Sequence, residues 1–533
     1  LPTGNSARTA YLHCIKLGTN IDPPYNTGKD FIYEDDFAEE TGEFLRRDGQ
    51  FDDQGNRLTP NLDSNGRFHT DWLNMIYPRL RVARDLLTDD GVIFISIDDN
   101  EVENLKKICN EIFGGSNFAG CIVWKKKTNG NNVGVIPPVH DYIVVYAKSI
   151  SQVCNIGYVL SDEQILSKYS NPDNDPRGPW DTMDLSANHK GPYFPITNPQ
   201  TGEVFFPPKG RYWVFNEDEV AKRIADGRII FGKSGNARPV QKVFLKNRVY
   251  TKRKAESWWD NHGMNEDATA ELMALFGVAK IFSHPKPSKL IKNICAIVLE
   301  KNDIVLDFFS GSATTADAIM QLNAENPSLN ARYILIQLPE NLRDSLSKAD
   351  NNAKASIQVA IDFLHKAKKS LLLTEIGKER IRRAGKKIKE EYKDKPGIEN
   401  LDIGFRVLKL DSSNMKEVYY TPEEYAQMSF NLDGFMDNIK PDRTEEDLLF
   451  QVMLDLGIPL SAKIRQDGET FYINDNYLIA CFGRVDTALI TEIAKKKPYY
   501  AVFRDSIFIN DSAMVNFEQV FSTYSPNTIR RVL

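Results

Sequence analysis

The chain has 533 residues, 41% of them hydrophobic and 26% charged, and a formal net charge of −6. That is too long for one hydrophobic core, so about three or four domains are expected, and no apolar run approaches the roughly 18 residues needed to span a bilayer. The six cysteines (Cys14, Cys109, Cys121, Cys154, Cys295, Cys481) are scattered without a C-x-x-C pair, which argues against a disulfide framework or a zinc site and fits a reducing cytosol.

No secretory signal opens the chain, and because Leu1 rather than Met stands first, the natural start is expected upstream. The first helix predicted is DWLNMIYPRLRVARDLL (Asp71 to Leu87), with apolar residues at helical spacing behind an Asp N-cap. GVIFISIDD (Gly91 to Asp99) reads as a buried strand, and CIVWKK and DYIVVYAK add two more around a Gly/Asn-rich loop from Thr128 to Gly134. This alternation predicts an α/β fold with a mostly parallel sheet. Between about Ser149 and Gly263 Pro, Gly, Asn and aromatics become frequent. Short strands such as EVFFP, YWVF and RIIFG are separated there by turn signals, as in an insertion built from hairpins.

The α/β texture returns at Ala268 and runs through DIVLDFF and RYILIQL to about Asp350. A highly charged helical stretch follows, from about Ala353 to Lys393. From about Asp402 strands (GFRVLKL, YLIACFG, YYAVFR, SIFIN) mix with helices (EEDLLFQVMLDLG, ALITEIAKKK), which predicts a separate small α/β domain. The expected division is therefore 1–148 and 266–350 as two halves of one domain, 149–265 inserted between them, 351–401 a charged helical linker, and 402–533 a C-terminal domain.

Local charge says more than the total. Arg238, Lys242, Lys246, Arg248, Lys252, Arg253 and Lys254 follow one another with no acid among them. Alone, this run is either a solvated basic face or a phosphate-contacting surface. GRIIFGKS (Gly227 to Ser234) fits the pattern of a phosphate-binding P-loop, but the strand-like IIF lies inside it and Gly-Asn-Ala-Arg-Pro follows instead of a helix. ATP binding is rejected on that ground. His140, His262 and His284 have no metal-ligand spacing, and no metal is expected.

Two motifs carry chemistry. In Asp22-Pro23-Pro24-Tyr25 a carboxylate and the Pro23 carbonyl can accept the two hydrogens of an exocyclic amine, localising a lone pair otherwise delocalised into a base. Consecutive prolines fix the backbone that aims them, and Tyr25 can stack on a base that has left its duplex. Far downstream, Asp307-Phe308-Phe309-Ser310-Gly311-Ser312-Ala313-Thr314-Thr315 follows a strand and precedes a helix. A strand, a small-residue turn and a helix N-terminus with free N–H groups form an adenosyl-cofactor cradle. Taken singly, each motif also fits an ordinary turn.

Together the motifs resemble the adenine-specific DNA methyltransferases of the β-type order, in which D-P-P-Y precedes F-x-G-x-G. IDPPYNTG, NGRFHTDWLNMIYPRL, DDGVIFISIDDNE, HDYIVVYAK, GRIIFGKSGN, ESWWDNHG, FSHPKPSKLI, DFFSGSATT and VFRDSIFIND extend the match over nearly the whole chain. The set is most similar to the modification (Mod) subunits of Type III restriction–modification systems. The resemblance implies a Rossmann-like methyltransferase sheet with an inserted target-recognition domain and a small C-terminal α/β domain. It implies that Asp22, Pro23, Pro24 and Tyr25 form the catalytic pocket. Asp307, Phe309, Ser310, Gly311 and Thr314 are then expected at S-adenosylmethionine, with Lys286 beside it. It also shifts the Arg238 to Lys254 run toward phosphate contact.

Four departures from the family pattern are visible. Ala313 stands where a glycine is usual, and Gln337 replaces the acid expected at the cofactor ribose, leaving Glu340 as the candidate. KLGTN before IDPPY is less apolar than the usual strand, and the family's further N-terminal region does not precede it here. The resemblance implies N6-adenine methylation in a bacterial cytoplasm, double-stranded DNA as partner, a homodimer formed through the C-terminal domain and charged helix, and a separate nuclease–helicase restriction subunit. N4-cytosine methylation, an RNA target, and a recognition subunit with little turnover remain open alternatives, although Asp22 favours adenine.

Overall fold

A computed structural model of the chain describes residues 18–27, 68–129, 135–153, 156–159, 167–232, 236–247, 252–349, 351–416, 439–504 and 511–533. Arg248, the Lys-Ser end of GRIIFGKS, the glycine-rich end of the 128–134 loop and the SIFIN segment lie outside the described residues, as do Cys14 and Cys154. The chain divides into two units, one covering 15–404 and another containing 405–533.

The strands of the larger unit that matter for the site are β1 (Gly18–Ile21), β2 (Val92–Ile97), β3 (Phe118–Lys125), β4 (His140–Ala147), β5 (Trp258–Trp259), β6 (Ile304–Asp307) and β7 (Arg332–Leu335). The ladder runs β1-β2-β4-β3-β5, with β1 parallel to β2 and β4 antiparallel to both of its neighbours. β6 pairs in parallel with β7 and lies alongside β1. All of β2 is buried, so VIFISI needs no alternation of polar and apolar residues. Ile93, Ile95 and Ile97 pack on one face with α1 (Phe68–Leu86) and α2 (Val102–Cys109). On the other face Val92 and Phe94 meet α4 (Ser288–Val298) and α5 (Thr314–Glu325), which follow α3 (Asn265–Phe276). Helices on both faces give the Rossmann-like layering expected, but with β4 antiparallel to both neighbours the sheet is mixed, not mostly parallel as the α/β alternation predicted. α1 starts at Phe68, so Asp71 stands in its first turn and not at its cap, where its charge still suits the helix dipole.

Between β4 and β5 the insertion consists of short antiparallel pairs. Trp180–Asp184 pairs with Val240–Phe244, Ile196–Thr197 with Val204–Phe205, and Gly157–Val159 with Lys252–Lys254. Leu185, Ile196, Trp213, Val220, Ile229 and Phe231 give it a core of its own. Strand Ile229–Ile230 lies inside the GRIIFGKS pattern, consistent with rejecting it as a phosphate loop.

The charged segment is not a free linker. Its helices α6 (Asn351–Lys366) and α7 (Leu373–Glu391) join α3 in a core of Leu272, Phe276, Leu364 and Ile376. The charges that suggested a linker pair along the helix, as Glu379 does with Arg383 at 2.7 Å, while Ile376, Ile381, Ala384 and Ile388 are buried. In the smaller unit a five-stranded mixed sheet runs Ile464–Asp467, Thr470–Ile473, Leu478–Cys481, Tyr500–Phe503, Ile529–Val532. Expected strand GFRVLKL is irregular, with Val407, Leu408 and Leu410 exposed; an alternating run becomes a strand only with a ladder partner, and other segments fill this sheet.

Candidate active site

β1 and β6 deliver the two motifs side by side. Ile21 ends β1 in the core, and Asp22 follows at its carboxyl end; Asp307 closes β6 near enough for their charges to interact. Open α/β sheets bind ligands outside such strand ends. Behind Asp22 the backbone is clamped from two helices. Trp72 of α1 donates its indole N–H to the Pro24 carbonyl at 2.6 Å, so this bond does not compete for the Pro23 carbonyl. Asn26 adopts φ 59° and donates to Glu101 at 2.6 Å. Glu101, fully buried at the start of α2, also meets His69 at 2.6 Å and accepts from Asn104 at 2.8 Å.

Lys286 grips Asp22 directly. Its Nζ donates to both carboxylate oxygens at 2.8 and 2.7 Å and lies 4.8 Å from the centre of the Tyr25 ring. The lysine expected at the cofactor is therefore found on the carboxylate, while its own carbonyl lies 3.4 Å from the Thr314 hydroxyl of the downstream motif. The Tyr25 hydroxyl is enclosed without a hydrogen-bond partner among the described residues, and burial, then the nearby charge of Asp22, holds its acidity well below that of an ordinary phenol. Asp141 on β4 pairs with Lys126 at 2.5 Å, its pKa raised by burial against the opposing pull of Lys286 and Lys126. Burial pushes Asp98 up to about 6.

The downstream motif is a tight turn braced from every side. Asp307 accepts from the Thr315 hydroxyl at 2.6 Å and the Phe309 N–H at 3.1 Å, and burial raises its pKa to about 7. Gly311 has φ +49°, and a Cβ there would come within 3.1 Å of the Phe282 ring. Ala313 has φ 62°, the left-handed region where L-residues are strained, which explains why a glycine is usual at this place. The Gln337 side chain, standing where an acid was expected, accepts the Gly311 N–H at 2.8 Å. The Glu340 carbonyl receives the Leu373 N–H at 2.9 Å at the start of α7. Phe309 is buried in the core with Ile21, whereas Ser310 donates its N–H to the Ile336 carbonyl at 3.2 Å.

The expected DNA-contacting run separates into different environments. Arg238, Lys246, Arg253 and Lys254 are exposed. Lys242 is not available to phosphate: its side chain is buried, bonded to Asp173 and to Asp175 at 2.9 Å, with its Nζ 4.8 Å from the centre of the Trp180 ring. The side chain of Lys252 lies outside the described residues. Sequence reasoning also missed Trp72, Glu101, Asp98, Asp141 and Arg380. Four of these fall in quoted stretches (DWLNMIYPRL, SIDDNE, HDYIVVYAK), which marked the segments without showing what the side chains face.

The model of the DNA methylase family matches residues 19–384. Among curated relatives, the chain is 33% identical to the Type III restriction-modification enzyme StyLTI Mod subunit of Salmonella typhimurium over 79% of this chain and 62% of that protein. It is 34% identical to the EcoPI Mod subunit of Escherichia phage P1 over 60% of this chain and 53% of that protein. It is 31% identical to the EcoP15I Mod subunit of Escherichia coli over 78% and 67% respectively. The chain thus spans between about half and two thirds of the length of these relatives.

Proposed function

The chain belongs to the DNA methylase family, and on that premise we propose that it transfers a methyl group from S-adenosylmethionine to N6 of an adenine flipped from double-stranded DNA, as the modification subunit of a Type III restriction–modification system. The observation that carries this reading is Asp22, held through both carboxylate oxygens by Lys286 at a strand end, next to Tyr25 and the cofactor turn.

The residues of the turn suit the cofactor. Gly311 leaves no side chain between the turn and Phe282, and Ile336 and Leu338 are about half exposed around Gln337, an apolar surface a planar purine would cover. Ser310, Gly311, Thr314 and this surface would hold S-adenosylmethionine. When bound, it supplies an electrophilic methyl group. Asp22 and the Pro23 carbonyl take the hydrogens of the amine and turn its lone pair outward. Tyr25 offers its ring face to the base, and the Lys286 ammonium above that face moves aside as the base enters. Trp72 and Glu101 keep the acceptors aimed, so little reorganisation is needed at the moment of reaction.

Arg238, Lys246, Arg253 and Lys254 on the insertion are the proposed phosphate contacts. With the apolar face of α7 already buried, dimer and restriction-subunit contacts are assigned to the C-terminal unit. Methyl transfer from labelled S-adenosylmethionine to unmethylated DNA, followed by nucleoside analysis, tests the reading. Label is expected in N6-methyladenine and should fall at least about a thousandfold in Asp22→Ala, whose loss removes both acceptor and charge. Label in N4-methylcytosine, or none beside intact DNA binding, would refute it.

A further inference from the structure

Arg380 of α7 is fully buried, which is rare for a residue so strongly hydrated, and its guanidinium has four side-chain partners. One nitrogen donates to the hydroxyls of Ser312 (3.0 Å) and Thr314 (2.7 Å) in the cofactor turn; another reaches Asp317 at 3.2 Å and Glu271 at 3.4 Å. Glu271 in turn accepts from the Ser288 N–H at 2.9 Å and its hydroxyl at 2.9 Å, fixing the start of α4 two residues after Lys286. The backbone of α7 lies against the same turn: a Cβ on Gly377 would touch the Gly311 carbonyl at 3.4 Å and the Ala313 Cβ at 3.5 Å.

We propose that Arg380 is a positioning residue for methyl transfer, fixing the cofactor turn and, through Glu271 and Ser288, the loop that carries Lys286 to Asp22. The proposal rests on the reading of this site as an S-adenosylmethionine-dependent methyltransferase. Two carboxylates alone would satisfy a buried cation; the two hydroxyls are what tie this one to the ligand turn. An oxygen that accepts from the guanidinium must aim its own proton elsewhere, and Ser312 and Thr314 lie 3.2 Å apart with the Lys286 carbonyl 3.4 Å from Thr314. Arg380 therefore sets both hydroxyl rotors and holds the left-handed Ala313 between them. A planar fork with five donors can serve all four partners at once, whereas an ammonium with three donors cannot.

Arg380→Lys in the full chain keeps the buried charge and removes the fork. Its circular dichroism should match that of the parent, with the Kd for S-adenosylmethionine weakened about tenfold, as for lost hydrogen bonds to a charged group. kcat should drop at saturating cofactor because the Lys286 loop loosens, while the KM for DNA stays at the parental value. A purely structural role would move DNA and cofactor constants together with the unfolded fraction. Ser312→Ala removes one acceptor without disturbing the buried charge and should weaken the cofactor in the same direction by a smaller factor. Parental cofactor Kd and kcat in Ser312→Ala, with Arg380→Lys either equally unaffected or merely unfolded, would overturn the proposal alone. A parent chain that binds no S-adenosylmethionine would overturn it together with the reading it rests on.

Discussion

Arg380 and Lys242 are both basic, both buried and both held by two carboxylates, yet they do different work. Lys242 sits in the insertion among Asp173, Asp175 and Trp180. Arg177 completes that cluster, its hydrogen bonds holding the Asp175 carboxyl well below the usual carboxylate range, with Lys242 adding to the effect. Every partner of Lys242 there is part of the insertion's own architecture. Around Arg380 the same electrostatic solution continues into the hydroxyls of the cofactor turn and, by way of Glu271, to the loop of Lys286. What distinguishes them is location: one lies behind the carboxyl ends of the central strands, the other inside a set of hairpins. A buried ion pair by itself indicates only that a charge has been compensated.

The comparison breaks most readily at Lys242. Lys242→Met leaves Asp173 and Asp175 without their shared cation and should cost about 3–5 kcal/mol. Denaturant unfolding and proteolysis of the full chain would measure this, with the insertion cut first and the cofactor Kd unchanged. An equal loss of cofactor affinity would mean that the two networks are one. A smaller effect is expected from the carboxylate that has no cation bonded to it in the turn. The folded pKa of Asp307, about 7, lies above its ordinary value, so between about 4 and 7 the folded state binds more protons than the unfolded one. Stability contributed by this group is thus fully present below the lower value and lost as pH rises through the upper. Asp307→Asn removes the titrating carboxyl and can still accept the Phe309 N–H. Its Tm relative to the parent, without cofactor, should climb from pH 5 to pH 7 and then level off; a constant difference would show that Asp307 is not held protonated.

What could be read in the sequence follows from the same contrast. Asp22 to Tyr25 and the turn from Asp307 to Thr315 were legible because their chemistry needs consecutive residues, and the buried strand VIFISI because its apolar run is unbroken. Lys286 was legible as a site residue but not as a partner of Asp22, 264 positions away. Arg380 was not legible at all. In the sequence it is one of many charges on a helix, and only packing selects it from Arg382 and Arg383, which lie on more open faces. Lys242 could have been read better. Val240, Lys242 and Phe244 share one face of a strand by the period of two, and apolar neighbours on both sides put that lysine inward. Ala313 shows a local rule broken at a functional place: its left-handed conformation costs roughly 1–2 kcal/mol, and contact with the neighbouring helix at Gly377 helps to hold it.

With Lys242 removed from the basic run, the exposed charges become the sharpest remaining test of what the insertion does. Arg238, Lys246 and Lys254 are exposed, and Lys254 ends a strand that pairs with Gly157–Val159. A protein that neutralises phosphates releases counterions, so the logarithm of its affinity falls with the logarithm of salt by about 0.9 for each contact. Replacing these three residues by Gln should flatten that slope by up to about 2.7 and weaken binding of all duplexes alike at low salt. The cofactor Kd should stay at the parental value, because none of the three touches the network of Arg380. An unchanged slope would return the run to an ordinary solvated face and leave phosphate contact to other exposed basic residues of the insertion, such as Lys190, Lys209 and Lys222, since Lys242 is already committed to Asp173 and Asp175.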